Sequence, residues 1–465
     1  MSSLLMPEEH VLSTLEKDGS RRWLFPRLSP GVFWKVRWVV AYGLILLFVL
    51  LPHWRIGGKP AILLDLINRQ FSFFGLTLLP TDTLLLALFM VSVFLTIFLL
   101  TALFGRVWCG WACPQTVYME YVFRPIERLF DGTRGKGGRP SSQTPFWRRS
   151  LKYVAYLLIA MLLAHTFLAY FVGVEQLSHW IRRSPVEHPA AFIVMAVVTG
   201  LMLFDFCYFR EQLCLVACPY GRLQSVLLDK QSLIVAYDVK RGEPRGKFTK
   251  ELPMAESHQG DCIDCKLCVR TCPTGIDIRN GLQMECIHCT QCIDACDEIM
   301  DKISKPRGLI RYSCQEAIEG LPHQGFRPRL VIYPLLLLVA ISAFIIVLIN
   351  RAPVDVTVLR NIGSPFNLTP DGQVQNTMLI KLVNRQTESK DYTIELLDTG
   401  ATPRDQVKLV VEGLPWRLEP LQLTTHSILI TVPPSAFTFG HYDLKLAVKE
   451  GNTLRKEITC RLLGP

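Results

Sequence analysis

The amino-acid sequence predicts a multi-domain membrane protein: an α-helical transmembrane bundle of five spans, an inserted α+β domain, and a C-terminal all-β sandwich. Three observations predict it. Five apolar runs are long enough, or nearly so, to cross a bilayer. The region between the fourth and fifth runs holds two tight, regularly spaced sets of cysteines. Residues 351–465 alternate at strand periodicity. The chain has 465 residues, 50% of them hydrophobic, and a mean hydropathy of +0.27, which leaves room for several domains.

Residues 1–35 form a basic N-terminal segment. Ser20-Arg21-Arg22-Trp23-Leu24-Phe25 loosely resembles a twin-arginine export signal. No short apolar region with a small-residue cleavage site follows, so a basic anchor before the first span explains these residues better. The spans cover about 36–54, 82–104, 152–174, 189–208 and 329–350, and Val331–Ile349 contains no charged residue. Pro52-His53-Trp54 closes the first in interfacial style. A single such run fits a buried core helix, but five do not fit a soluble protein.

Lysine and arginine counts set the expected orientation. Residues 1–37 hold six (Lys17, Arg21, Arg22, Arg27, Lys35 and Arg37) and the loop 105–151 holds eight, against three in 54–81 and two in 175–188. The N-terminus, the loop 105–151 and the segment 209–328 are therefore expected in the cytoplasm, and 351–465 in the periplasm. The net charge of +10 is largely this topology signal, not a nucleic-acid footprint. Fourteen of the fifteen cysteines then fall at or cytoplasmic of the membrane, where thiols stay reduced. Cys460, alone outside, is expected to be a buried strand residue.

The first four spans, 36–208, read as a duplicated hairpin. The second ends in Phe104-Gly105-Arg106-Val107-Trp108-Cys109-Gly110-Trp111-Ala112-Cys113-Pro114. The fourth ends in Phe209-Arg210-Glu211-Gln212-Leu213-Cys214-Leu215-Val216-Ala217-Cys218-Pro219. Each carries Cys-x-x-Ala-Cys-Pro at the same offset, so the two motifs should face the same membrane surface. The spacing allows two readings: both sulfurs on one helical face, or Pro114 and Pro219 opening new helices with Cys113 and Cys218 at their N-termini, where the dipole favours thiolate. Either arrangement makes Cys109, Cys113, Cys214 and Cys218 candidate ligands or redox groups, and soft thiolates select cuprous ion. The plain alternative is small residues packing helix ends. Cys207 and Cys314 lack matching partners and read as structural. His165, alone in an apolar span, reads as a hydrogen-bonded packing residue and not a haem ligand.

Within 209–328, Cys262-x-x-Cys265-x-x-Cys268-x-x-x-Cys272-Pro273 is followed by Cys286-x-x-Cys289-x-x-Cys292-x-x-x-Cys296. Each run has the bacterial ferredoxin spacing, whose fourth cysteine reaches to the other cluster. Cys262, Cys265, Cys268 and Cys296 are thus assigned to one [4Fe–4S] cluster, and Cys286, Cys289, Cys292 and Cys272 to the second. Zinc ribbons use two separated pairs around one ion and do not match this crowding. Asp297 stands where the first run has its proline. The expected domain is α+β and ferredoxin-like, with two clusters as a one-electron relay.

The segments Val354–Val358, Thr377–Val383, Tyr392–Leu397, Val407–Val411, Ser427–Val432, Tyr442–Val448 and Arg455–Leu462 are strand candidates separated by turn residues. Seven short strands predict an immunoglobulin-like sandwich. No catalytic constellation lies there, so the expectation is contact with a partner or a passive cap.

The run Gly105-Arg106-Val107-Trp108-Cys109-Gly110-Trp111-Ala112-Cys113-Pro114-Gln115-Thr116-Val117-Tyr118-Met119-Glu120, with the paired cysteine runs, resembles the cytochrome c oxidase accessory family called FixG, RdxA or CcoG. The resemblance covers nearly the whole chain. It implies a place in the bacterial inner membrane, in assembly of a cbb-type haem–copper oxidase. It also implies reduction of cupric to cuprous ion, with copper as substrate or transiently bound ion. The family's paired motifs map onto Cys109, Cys113, Cys214 and Cys218. Implied partners are copper, oxidase subunits or copper chaperones, membrane lipid and a cytoplasmic electron donor that the sequence does not name. Two other readings stand beside it: a quinol dehydrogenase serving a periplasmic respiratory partner, and a non-catalytic assembly scaffold.

Overall fold

The computed structural model describes residues 13–465 apart from 16–17, 19, 57–58, 67–69, 134–139, 141–143, 247–259, 322–326, 361–362, 387 and 401. It divides into two compact units, Met1–Ser342 and Ala343–Pro465.

The first unit is built on long apolar helices. Those over Val32–Leu50 (α1), Thr83–Phe104 (α2), Phe146–Val172 (α5), Pro189–Phe204 (α6) and Arg329–Ile349 (α10) give five segments long and apolar enough to span a membrane. Their outward residues are themselves apolar, such as Val39, Leu46 and Leu47 on α1 and Val194 and Leu201 on α6. A helix apolar all round is suited to lipid. α5 starts at Phe146, earlier than the apolar run at 152, because Arg148, Arg149 and Lys152 extend it beyond the apolar stretch. Inside α5, His165 Nδ1 lies 2.7 Å from the Met161 carbonyl oxygen one turn back, a local packing contact.

The segment expected as the loop 105–151 is instead largely helical at its start. Val107–Trp111 (α3) and Pro114–Tyr118 (α4) are followed by a π turn over Met119–Phe123 and a helix over Arg124–Asp131. Its polar groups are paired internally: Arg124 with Glu120 and Glu211, Arg210 with Glu127 at 2.7 Å, and Lys152 with Asp131 at 2.6 Å. Such pairing lets charged residues sit buried at a helix end. The basic N-terminal segment joins this layer, with Arg21 stacked 3.9 Å over Trp23 and bonded to Glu211. The connection after α1 also holds structure that lacks a clear periodic signal: an antiparallel sheet of Ile62–Asp65, Gln70–Phe73 and Leu76–Leu78.

The cysteine-rich region contains Pro219–Leu227 (α7), Leu267–Thr271 (α8), Gln291–Lys302 (α9) and a two-stranded antiparallel sheet, Ile234–Tyr237 (β1) with Ile310–Ser313 (β2). The two cysteine runs share a backbone path. Asp264 and Lys266 have positive φ, as do His288 and Thr290, their equivalents 24 residues on. Left-handed residues between right-handed ones curl the chain into concave nests whose N–H groups favour anions. After Cys272 the helix stops at Pro273, whereas α9 continues through Cys296 and Asp297 to Lys302. Asp297 also accepts a hydrogen bond from the Gly308 N–H at 3.0 Å. The missing proline is what permits the longer helix.

The second unit is a two-sheet sandwich. Val354–Arg360 (β3), Val374–Asn384 (β4), Lys408–Val411 (β6) and Leu423–Val432 (β8) form one sheet in the order β6-β8-β4-β3, with Asn367–Leu368 beside β4. Lys390–Asp398 (β5), Trp416–Leu418 (β7), His441–Glu450 (β9) and Thr453–Leu463 (β10) form the other, in the order β7-β5-β9-β10. Inward residues alternate along the strands: Ile380 and Leu382 meet Ile428, Ile430, Leu444 and Leu446. All seven predicted strands are present; the short Asn367–Leu368 and Trp416–Leu418 strands carry too little alternation to read. Cys460 is fully buried in this core.

Candidate functional site

Two adjacent cavities in the first unit are lined by the cysteine runs. One is bordered by Cys262, Cys265, Cys268 and Cys296, with Leu267, Met300 and Ile310. The other is bordered by Cys272, Cys286, Cys289 and Cys292, with Cys268, Ile276 and Ile278. In each, the fourth cysteine comes from the other run. The donor set is therefore eight thiols around two pockets with apolar walls, and it fits two cubane clusters with no other ligand. No three Cys, His, Asp or Glu side chains among the described residues gather as ligands of a single ion. A cubane does not need that, because each thiolate holds a different iron corner.

The two pockets differ in exposure at one cysteine: Cys265 of the first is exposed, whereas Cys262 and Cys268 of the first and Cys286 and Cys289 of the second are buried. The pocket of Cys289 lies against the first membrane motif. Cys109 packs with Ile287 and Cys289, beside Tyr220. Gly110 is what allows this approach: a Cβ built there would stand 2.8 Å from Cys289 Cα and N. The docking is reinforced from α9, where the Asp294 carboxylate accepts the N–H groups of Phe33 (3.2 Å) and Trp34 (2.7 Å) at the open N-terminus of α1.

The membrane motifs adopt the second of the two geometries considered. The helix breaks after Trp111, and Cys113 and Cys218 sit at the N-caps of α4 and α7, with Pro114 and Pro219 in the first helical position. Gly105 and Arg210, equivalent in the repeat, both have positive φ, 59° and 53°, so the two hairpins end in the same turn. The copies differ beyond it: Cys109 lies on α3, but Cys214 lies in a π turn over Leu213–Ala217.

Burial, not the helix dipole, sets the protonation of Cys109, Cys113 and Cys214. It pushes the Cys109 thiol up to about 11, against the pull of the Arg106 charge. It raises Cys113 as well, outweighing the Thr116 and Gln115 N–H groups. Cys214 is raised by burial and then by Cys113, Cys109 and Cys218 as neighbours. The four sulfurs thus share one neighbourhood, without a preformed site for one ion among the described residues. The Cys109 S–H donates to Gln224 Oε1 at 3.0 Å, and Gln224 Nε2 donates to Tyr220 OH and Thr101 Oγ1. Cys207 packs against the core around Phe123 and Phe206, away from these four, and Cys314 caps the short helix Gln315–Glu319.

Several residues of the site carry no motif. His288 is buried, its Nδ1 accepting the Arg106 N–H at 3.2 Å, and burial holds its imidazole neutral by lowering its pKa to about 3. Arg37 is buried within α1, with Nε–H donating to the Gly110 carbonyl at 3.0 Å. A charge inside an apolar run was the available signal for Arg37, but in the sequence it counts equally well toward membrane orientation.

Comparison with known proteins agrees with this arrangement. Residues 209–315 match the model of a 4Fe-4S dicluster domain, 86–135 that of a 4Fe-4S binding domain, and 344–465 that of the IG-like fold at the C-terminus of FixG. The range 86–135 holds only two cysteines, Cys109 and Cys113. The chain is 38% identical to Protein RdxB of Cereibacter sphaeroides, over 85% of each chain. It is 35% identical to Protein RdxA of the same organism, over 80% of this chain and 81% of that one. It is 30% identical to the nitrogen fixation protein FixG of Rhizobium meliloti, over 94% of this chain and 92% of that one.

Proposed function

Since the chain belongs to the FixG/RdxA family of membrane iron–sulfur electron-transfer proteins, we propose that its electrons are used to reduce cupric to cuprous ion for assembly of a cbb-type oxidase in the bacterial cytoplasmic membrane. The observation that supports this reading is the buried cluster shared by Cys109, Ile287 and Cys289, in which a cysteine of the first membrane motif joins one of the second cysteine run. When bound, the clusters supply single electrons, and one electron converts one Cu²⁺ to Cu⁺. The chain's own contribution is the acceptor site. Cys109, Cys113, Cys214 and Cys218 offer thiolates that hold cuprous ion more tightly than cupric, which makes the reduction more favourable. Each thiol releases its proton as copper binds. Cys262, Cys265, Cys268 and Cys296 would hold one cluster, and Cys286, Cys289, Cys292 and Cys272 the other. The lysine and arginine asymmetry supports a cytoplasmic cluster domain and a periplasmic sandwich.

The test is anaerobic reduction of the purified protein, followed by cupric titration with a cuprous-specific chelator. The decisive variant changes Cys109, Cys113, Cys214 and Cys218 to serine and keeps both clusters. Loss of specific copper binding and most cupric reduction, with unchanged cluster spectra, is expected. A variant that binds and reduces copper like the parent removes the proposal.

One observation favours the quinol dehydrogenase reading. A cavity of about 280 Å³ is lined by Tyr153, Tyr156 and Phe206 together with the ion-paired carboxylates Glu127 and Asp131, an aromatic slot with polar groups at its edge. Cluster reduction by a water-soluble quinol, lost when Tyr156 and Phe206 are changed to alanine, would favour that reading.

A further inference from the structure

Arg37 is 1% exposed, five residues into α1, and therefore a guanidinium held in a membrane-spanning segment. Its Nε–H reaches the Gly110 carbonyl, but Nη1 and Nη2 are buried and have no hydrogen-bond partner among the described residues. The Tyr121 ring lies 5.6 Å from its Cζ. A buried cation with unpaired N–H groups is costly unless something of opposite charge stands before it. The Asp294 carboxylate is within electrostatic reach, but its two oxygens are already engaged by Phe33 and Trp34. The Gly110 that Arg37 bonds is packed against the cysteine loop, a Cβ built on it standing 2.8 Å from Cys289 Cα and N, so the guanidinium sits at the Cys289 end of the second pocket. Arg106 is also buried; it donates to the Met284 carbonyl, and its Nε lacks a partner among the described residues. The first pocket also has an arginine, Arg279, but that one is paired with two carboxylates, Asp264 at 2.6 Å and Asp277 at 2.7 Å.

We propose that Arg37 is the charge partner of the second cluster, donating its free N–H groups toward the cluster and its thiolates and raising that cluster's reduction potential above that of the first. Reduction adds one negative charge to a cluster, and net charge and hydrogen bonds to sulfur set its potential. A buried cation therefore favours the reduced state, and its effect escapes most salt screening. Water near the exposed Cys265 also favours reduction of the first cluster, but as a screened and mobile dipole, not a fixed charge. The consequence is a direction: electrons entering at the exposed first cluster come to rest on the second, beside Cys109. Arg37 is a positioning residue in this scheme, and the inference stands whether or not copper is the final acceptor.

The test is potentiometric EPR titration of the full-length protein with both clusters loaded. Cys265→Ser and Cys289→Ser assign the two signals, each altering its own cluster. In the parent, the signal altered by Cys289→Ser is expected to have the higher midpoint potential. Arg37→Gln should shift that midpoint to more negative values and leave the other in place. Arg37→Lys, which keeps the charge, should stay near the parent. A structural role through the Gly110 hydrogen bond alone would leave the midpoint unmoved in Arg37→Gln, or move both clusters equally, and either result overturns the proposal. If Arg37→Gln fails to load its second cluster, the parent's own ordering decides: equal midpoints, or a lower one for the second cluster, refute it.

Discussion

Replacing Gly110 by alanine tests the seat of the cluster loop on the membrane motif. The added Cβ would lie 2.8 Å from Cys289 Cα and N and 2.5 Å from the Ile287 carbonyl oxygen. Comfortable carbon contacts begin at about 3.5 Å, so the loop or α3 has to retreat by about 0.7 Å. All three atoms are backbone, so no rotamer change relieves the clash. Overpacking of this kind costs about 1–3 kcal/mol. The strain falls on the loop that ligates the second cluster, and that loop should yield first. The expected result is earlier thermal loss of iron–sulfur absorbance and slower electron delivery to cupric ion, with iron content initially unchanged. Gly43→Ala is the control. It lies in the same membrane unit with nothing within 4 Å of a built Cβ, and removing a mid-helix glycine stabilises by roughly 0.5–1 kcal/mol. If Gly110→Ala melts and transfers electrons as the parent does, while Gly43→Ala behaves as expected, the loop does not rest on Gly110.

Other outcomes follow from the same structure. The purified protein should contain about eight irons with matching acid-labile sulfide; stoichiometric zinc without iron would contradict the two-cluster reading. Reporter fusions after Lys250 and after Gly451 should give opposite compartment signals, and matching signals would mean that a span is misassigned. Burial keeps the Cys109 proton bound up to about pH 11, so copper has to displace it. Apparent cuprous affinity should therefore rise between pH 6 and 9, by about tenfold per pH unit for each proton released. A flat competition titration over that range would mean that copper binds without the thiolates.

The iron–sulfur domain was legible because both sets of four cysteines are local, and their spacing carries the signal. Membrane spans and sandwich strands were legible for a related reason: lipid and core each impose a composition or a period on contiguous residues. The duplicated hairpin was visible from Cys109, Cys113, Cys214 and Cys218, and its shared turn at Gly105 and Arg210 is the same repeat in backbone form. Short elements such as Trp416–Leu418, the sheet over 62–78 and the π turns gave no such signal. Their pairing partners, not their own pattern, stabilise them.

Tertiary structure decided everything that depends on distant parts of the chain meeting. Cys109 shares a buried cluster with Cys289 across 180 positions of sequence, and Gly110 is small because another loop needs the space. The local rule that a helix N-terminus lowers a thiol pKa was correct in sign at Cys113, yet burial outweighs it, and burial is a property of the whole packing. Arg37 shows the same division. Its sequence position marks a positive charge near a membrane surface. Its place beside Gly110 and the Cys289 loop, with N–H groups that have no partner among the described residues, follows only from how α1, α3 and the cysteine loop pack together.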